Sequence, residues 1–159
     1  MPVRADSRNL AFVLDTTVLI KLHRNRCTED VRRLEQRFEC PKTVAAEFAK
    51  GRRFPGTLRS EFPWLRVVAD THKTFIQGEG LGPGEEQAIL HCLSDGDYRI
   101  FVSDDKLARQ RALDAGIGTI DSAALVSMIY AKGVTQARAY IQQLRMMLSM
   151  RRTGRVKFR

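Results

Sequence analysis

Cysteine is scarce in this chain of 159 residues. Cys27, Cys40 and Cys92 are odd in number, far apart and without a CxxC pair. That excludes a disulfide framework and a thiolate zinc site, and fits a reducing compartment. Long apolar runs are also missing. No stretch approaches the roughly 18 consecutive apolar residues of a membrane span. The opening MPVRADSRN has no apolar core of a signal peptide. A cytoplasmic protein with no membrane partner is therefore expected. Only three histidines occur, and no serine or cysteine sits in a base pattern for nucleophilic catalysis. GEGLGPG at 78–84 lacks the lysine and hydroxyl of a phosphate cradle, so it reads as a flexible rim. A DxDxT phosphatase is disfavoured because Thr17 occupies the place of its second acid.

Basic charge is what the chain has in excess. Lysine and arginine number 27 against 18 acids, a formal net charge of +9, which favours a polyanionic partner such as nucleic acid. Hydrophobic content of 43% is ordinary for a globular chain, and the length suits one domain. We expect a single domain over 1–150 and a basic tail over 151–159.

Hydrophobic patterning divides the chain into alternating strands and helices. Residues 11–14 read as a buried strand, and Thr16 to about Arg24 as a helix. A second helix is expected from about Thr28 to Phe38, with Arg32, Arg33 and Arg37 on its exposed face. KTVAAEFAKG reads as a helix closed by Gly51, and the segment to residue 64 as loop or short helical turns. Strands follow at 65–69, 99–103 and 116–120. Helices are expected after 84, after Asp105, over 122–132 and over 135–150. This alternation indicates an α/β three-layer sandwich, a mostly parallel central sheet flanked by helices.

The acids fall at telling places. Asp15, Asp104, Asp105 and Asp121 follow strands, where an aspartate ordinarily caps the next helix. Buried parallel strands, however, deliver such acids to one sheet edge, where open α/β folds bind ligands. Glu47 borders the inward face of its helix formed by Val44 and Phe48, and Glu85 heads the stripe Ala88, Ile89, Cys92 and Leu93. Glu86 is turned away and is expected to face solvent. Two like charges about 4 Å apart repel by about 4 kcal/mol at an effective dielectric of about 20. A converging set thus needs a cation or raised pKa values. Oxygen donors without His or Cys suit Mg²⁺ or Mn²⁺.

The order of motifs resembles that of the PIN-domain nucleases. It comprises DTTVLI after a strand, PKTVAAE, GEEQAI after a glycine loop, and VSDDKLARQRALDAGI followed by GTI. The likeness spans about residues 11–131 and is greatest to the small prokaryotic, toxin-like branch. It implies a PIN-like fold and a Mg²⁺- or Mn²⁺-dependent ribonuclease. By position, the metal ligands would be Asp15, Glu47, Glu85 and Asp105, with Asp104 able to substitute for Asp105. Ser103 and Thr16 (or Thr17) fit the accompanying hydroxyls. It further implies an endoribonuclease acting on single-stranded or structured RNA as the toxin of a toxin–antitoxin pair, with an antitoxin protein and a homodimer as partners. The alternatives are a housekeeping RNA-processing nuclease and a catalytically silent nucleic-acid-binding module. The apolar helices at 122–131 and 135–150 are candidates for a dimer face. RNA contacts are expected at Lys50, Arg52 and Arg53, and at Arg151, Arg152, Arg155 and Lys157.

Overall fold

Leu10–Leu14 form strand β1, and not one of the five residues exposes any surface. A strand buried on both faces needs a neighbour on each side and a helical layer above and below. The computed structural model, which describes residues 10–34, 36–51, 57–75, 78–94 and 98–130, supplies both. β1 lies between β2 (Arg37–Pro41) and β4 (Tyr98–Val102), with β3 (Leu65–Val68) outside β2 and β5 (Gly118–Ile120) outside β4. All four pairings are parallel, and Val13 stands opposite both Glu39 and Phe101.

Alternation along β1 feeds two cores. Leu10, Phe12 and Leu14 point to one face, which packs against α1 (Thr16–Arg24), α2 (Thr28–Arg32), α3 (Lys42–Lys50) and α7 (Ser122–Tyr130). Phe12 stacks on Phe38 at 5.3 Å, and Phe38, Trp64, Phe62 and Phe48 continue as a chain of edge-on ring contacts. The four Phe rings among them are fully buried, and each contributes about 1.5–3 kcal/mol. On the other face Val13 and Phe101 meet Ala88, Ile89, Ala108 and Ala112 of α5 (Pro83–Leu93) and α6 (Lys106–Asp114). The three layers expected from the sequence are present, and no helix among the described residues is long and apolar enough to cross a membrane.

The chain departs from β1 to β2 and β3 on one side, then returns to build β4 and β5 on the other. The connections therefore diverge between β1 and β4, which opens a crevice above their carboxyl ends. Asp15 immediately follows β1, and Ser103–Asp105 follow β4.

The expected helix over 28–38 is a correction. α2 stops at Arg32, and β2 occupies residues 37–41, so the sheet has five strands where the sequence suggested four. Phe38 and Cys40 alternate into the core, but Glu39 between them is equally buried. It accepts hydrogen bonds from His91 at 3.1 Å and Arg99 at 3.2 Å, so a polar residue reads as surface where it is a neutralised core group. Arg37 consequently stands on a strand, away from the helical face of Arg32 and Arg33. A short helix α4 (Thr57–Glu61) lies in the proline-broken segment.

Candidate active site

Each acid of the crevice is held by the element that delivers it. Asp15 ends β1 and caps α1, one carboxylate oxygen accepting from the Val18 amide at 3.0 Å. The hydroxyl of fully buried Ser103 also bonds its carboxylate. Ser103 in turn accepts from the Asp105 amide at 3.1 Å, and Arg109 donates to the Ser103 carbonyl at 2.8 Å. Asp105 repeats the capping geometry on α6, its Oδ1 accepting from Ala108 at 2.8 Å. Its second oxygen makes no hydrogen bond among the described residues. The capping role expected for such aspartates is real, but it engages only part of each carboxylate.

Glu47 reaches the crevice from α3. Thr16 donates to its Oε2 at 2.6 Å, and the Gly84 amide, in the first turn of α5, donates to its Oε1 at 3.0 Å. A Cβ at 84 would overlap the Glu47 carboxylate, so a larger residue there must displace that side chain. Glu85 enters from the same turn, its Oε2 accepting from the Gly82 amide at 3.1 Å. Asp70, at the end of β3, accepts from the Thr43 amide and hydroxyl. It thereby caps α3, whose own N-cap, Pro41, has no side-chain donor or acceptor.

The electrostatics show that these groups share one neighbourhood. Burial pushes the Asp15 carboxyl up to about 6; Ser103 and Val18 oppose the rise, and the charges of Glu85 and Asp104 add to it. Glu85 is raised by burial and by the charges of Asp105 and Glu47, against the Gly82 amide. Acids from β1, α3, α5 and the β4–α6 turn therefore repel one another, although they lie far apart along the chain. Raised carboxyl pKa values are one of the two outcomes that a converging acid set allows.

Asp104 behaves differently from its neighbour. Burial raises its pKa, but Lys21 at 2.8 Å and the amide and hydroxyl of Ser122 at 2.8 and 2.7 Å outweigh that and hold it below the ordinary value. Asp104 is thus committed to joining α1 to α7, and Asp105 is the member of the doublet with an oxygen to offer. Thr16, not Thr17, is the hydroxyl engaged, since Thr17 is exposed.

Several sequence expectations fall elsewhere. Glu86 does not simply face solvent: it is half-buried and accepts from the Phe75 amide at 3.1 Å. Lys50 ends α3, one turn beyond Glu47, and is exposed. Arg52, Arg53, the 135–150 segment, Arg151, Arg152, Arg155 and Lys157 lie outside the described residues. His91 stays apart from the acid cluster and serves Glu39. A cavity of about 610 Å³ is lined by residues including Thr71, Phe75, Gln87 and His91, with none of the crevice acids among them. Gly84 was not singled out from the sequence; its signal was a glycine inside the first turn of a helix, where it costs helix stability.

The donors are all carboxylate oxygens, the chemistry of a hard divalent ion. Among the described residues, no three His, Cys, Asp or Glu side chains close on a point as a finished cage.

The architecture defines a class: a parallel α/β sandwich with an acidic crevice at its point of strand reversal. The PIN-domain family model matches residues 11–155, and the chain belongs to that family. Nine solved chains match its fold. One is a PilT N-terminus domain protein from the hyperthermophilic archaeon Sulfolobus solfataricus P2, similar at 18% identity and a TM-score of 0.56 over 76% of this chain and 93% of that one. No curated protein matches the sequence.

Proposed function

We propose that the protein is a Mg²⁺- or Mn²⁺-dependent endoribonuclease that acts as the toxin of a toxin–antitoxin pair. The observation that carries the nuclease reading is the mutual repulsion of Asp15, Glu85, Glu47, Asp104 and Asp105 in one crevice. Together with PIN-family membership and a net charge of +9, it favours a cation-loaded site on a protein that attracts polyanions.

In this mechanism Asp15 and Asp105 would hold the ion, because both are fixed at strand ends and through the single hydroxyl of Ser103. Glu85 and Glu47 would complete the site. Thr16 and the Gly84 amide keep the Glu47 carboxylate aimed. A bound divalent ion supplies a water of lowered pKa and polarises the scissile phosphate. Arg109 braces the Ser103 carbonyl, so the turn carrying Asp105 cannot drift from Asp15. Asp104 stands aside, neutralised by Lys21 and capping toward Ser122.

The test is incubation of the pure protein with RNA in Mn²⁺, in Mg²⁺ and in chelator. Cutting only with metal supports the reading; RNA bound but never cut would instead make this a silent binding module. Expression in a bacterium tests the toxin role. Growth arrest that Asp15→Asn abolishes supports it, and undisturbed growth with active cutting in vitro would point to RNA processing.

A further inference from the structure

Two lysines occupy positions that the local helix physics disfavours. Lys42 is the first residue of α3 and Lys106 the first of α6, and neither helix has an acid in its first turn. The positive end of a helix dipole repels a cation there. Both side chains are exposed, and neither makes an ion pair or hydrogen bond among the described residues. Positions where local rules are broken without structural return are where function is to be sought.

Topology gives their placement a meaning. α3 follows β2 and α6 follows β4, so both lysines emerge at the carboxyl edge of the sheet. β2 and β4 are the two neighbours of β1, whose end carries Asp15. β2 and β4 stand two strand spacings, about 10 Å, apart, and Lys42 starts on the face packed by α1 while Lys106 starts on the face packed by α5, one on either side of the acid crevice. Of the other cations nearby, Lys21 is already spent on Asp104 and Arg109 on the Ser103 carbonyl.

We infer that Lys42 and Lys106 bind the phosphates on either side of the scissile one, so that a single RNA strand crosses the sheet edge perpendicular to the strands. This rests on the reading of the crevice as a phosphodiester-cleaving site. It adds that the substrate must continue past the cut in both directions, which makes cleavage internal. Cations on both faces of one edge suit one extended backbone that crosses it, and flexible lysine heads bind phosphate as point charges without reading sequence.

The experiment measures binding apart from cutting. In an Asp15→Asn background, the affinity for a short fluorescein-labelled oligouridylate is followed against salt for three proteins. These are the parent, Lys42→Glu with Lys106→Glu, and a control with Arg24→Glu and Arg32→Glu. Arg24 and Arg32 end α1 and α2, which lead the chain back to the start of β2, and the control has the same change in net charge. A glutamate at the start of a helix is favoured by the dipole, so the crevice pair does not endanger folding. The crevice pair should weaken binding at least about tenfold at low salt and flatten the log–log salt slope by about 1.4, about 0.7 per lost phosphate contact. The control should change affinity less than about twofold. Equal effects of the two pairs, or none from the crevice pair, overturn the inference while leaving the nuclease reading intact. Failure of the wild type to cut RNA overturns the nuclease reading instead.

Discussion

Asparagine caps a helix as well as aspartate does, which makes it an unusually clean probe of Asp15 and Asp105. Asp15→Asn keeps the bond to Val18 and removes only the charge. A carboxyl raised from 3.8 to about 6 in the folded protein favours its protonated form. Ionising it therefore removes stability as pH rises through that window, by up to about 3 kcal/mol once pH exceeds 6. Metal-free wild type should accordingly melt higher at pH 5 than at pH 7, and Asp15→Asn should abolish most of that difference in a scanning fluorimetry series. Gly84→Ala belongs to the same scale. Its methyl group would displace the Glu47 carboxylate, and urea unfolding should report a loss of about 1–3 kcal/mol. An unchanged midpoint would show that Glu47 swings away freely.

At the level of elements, the adjacent Asp104 and Asp105 should separate cleanly under mutation. Asp104→Ala leaves the Ser122 amide and hydroxyl without their acceptor, which should cost about 1–3 kcal/mol by urea denaturation. Lys21 is half-exposed, so Lys21→Met should cost no more than about 1 kcal/mol. Both variants should still cut RNA when folded, whereas Asp105→Asn should fold and not cut. The reverse pattern would exchange the roles assigned to the two residues. Elements were legible where local signals agreed. β1 is a short apolar run ended by an acid, α1 starts on that acid as its cap, and α3 ends at Gly51. β2 was hidden because Glu39 reads as a solvated side chain. Its partners, His91 and Arg99, lie 52 and 60 residues away. The four crevice acids could be named from their contexts, but the bonds that sort Asp104 from Asp105 come from Lys21 and Ser122 on other elements.

For the molecule as a whole, the Glu39, His91 and Arg99 group ties β2, β4 and α5 together across buried β1. Burial opposes the charge on Glu39, but His91 and Arg99 hold its carboxyl down at about 2. A depressed carboxyl stabilises the fold above its ordinary value of 4.5, and that contribution is lost as pH falls toward 2. Acid unfolding should therefore set in below pH 4.5, with about 3 kcal/mol traceable to this residue by comparison with Glu39→Gln. The same framework keeps the sheet edge rigid beneath the crevice, so the acids repel across fixed distances and cannot relax apart.

That repulsion is what a divalent ion should relieve. The most direct measurement is the melting temperature at pH 7 as Mn²⁺ is added to wild type and to Asp15→Asn. Ligand that binds only the folded state raises stability with the logarithm of its concentration. Wild type should start lower and climb as Mn²⁺ increases, while the variant starts higher and stays nearly flat. Parallel curves for the two proteins, or no rise in either, would contradict the assignment of the crevice as a metal-holding site.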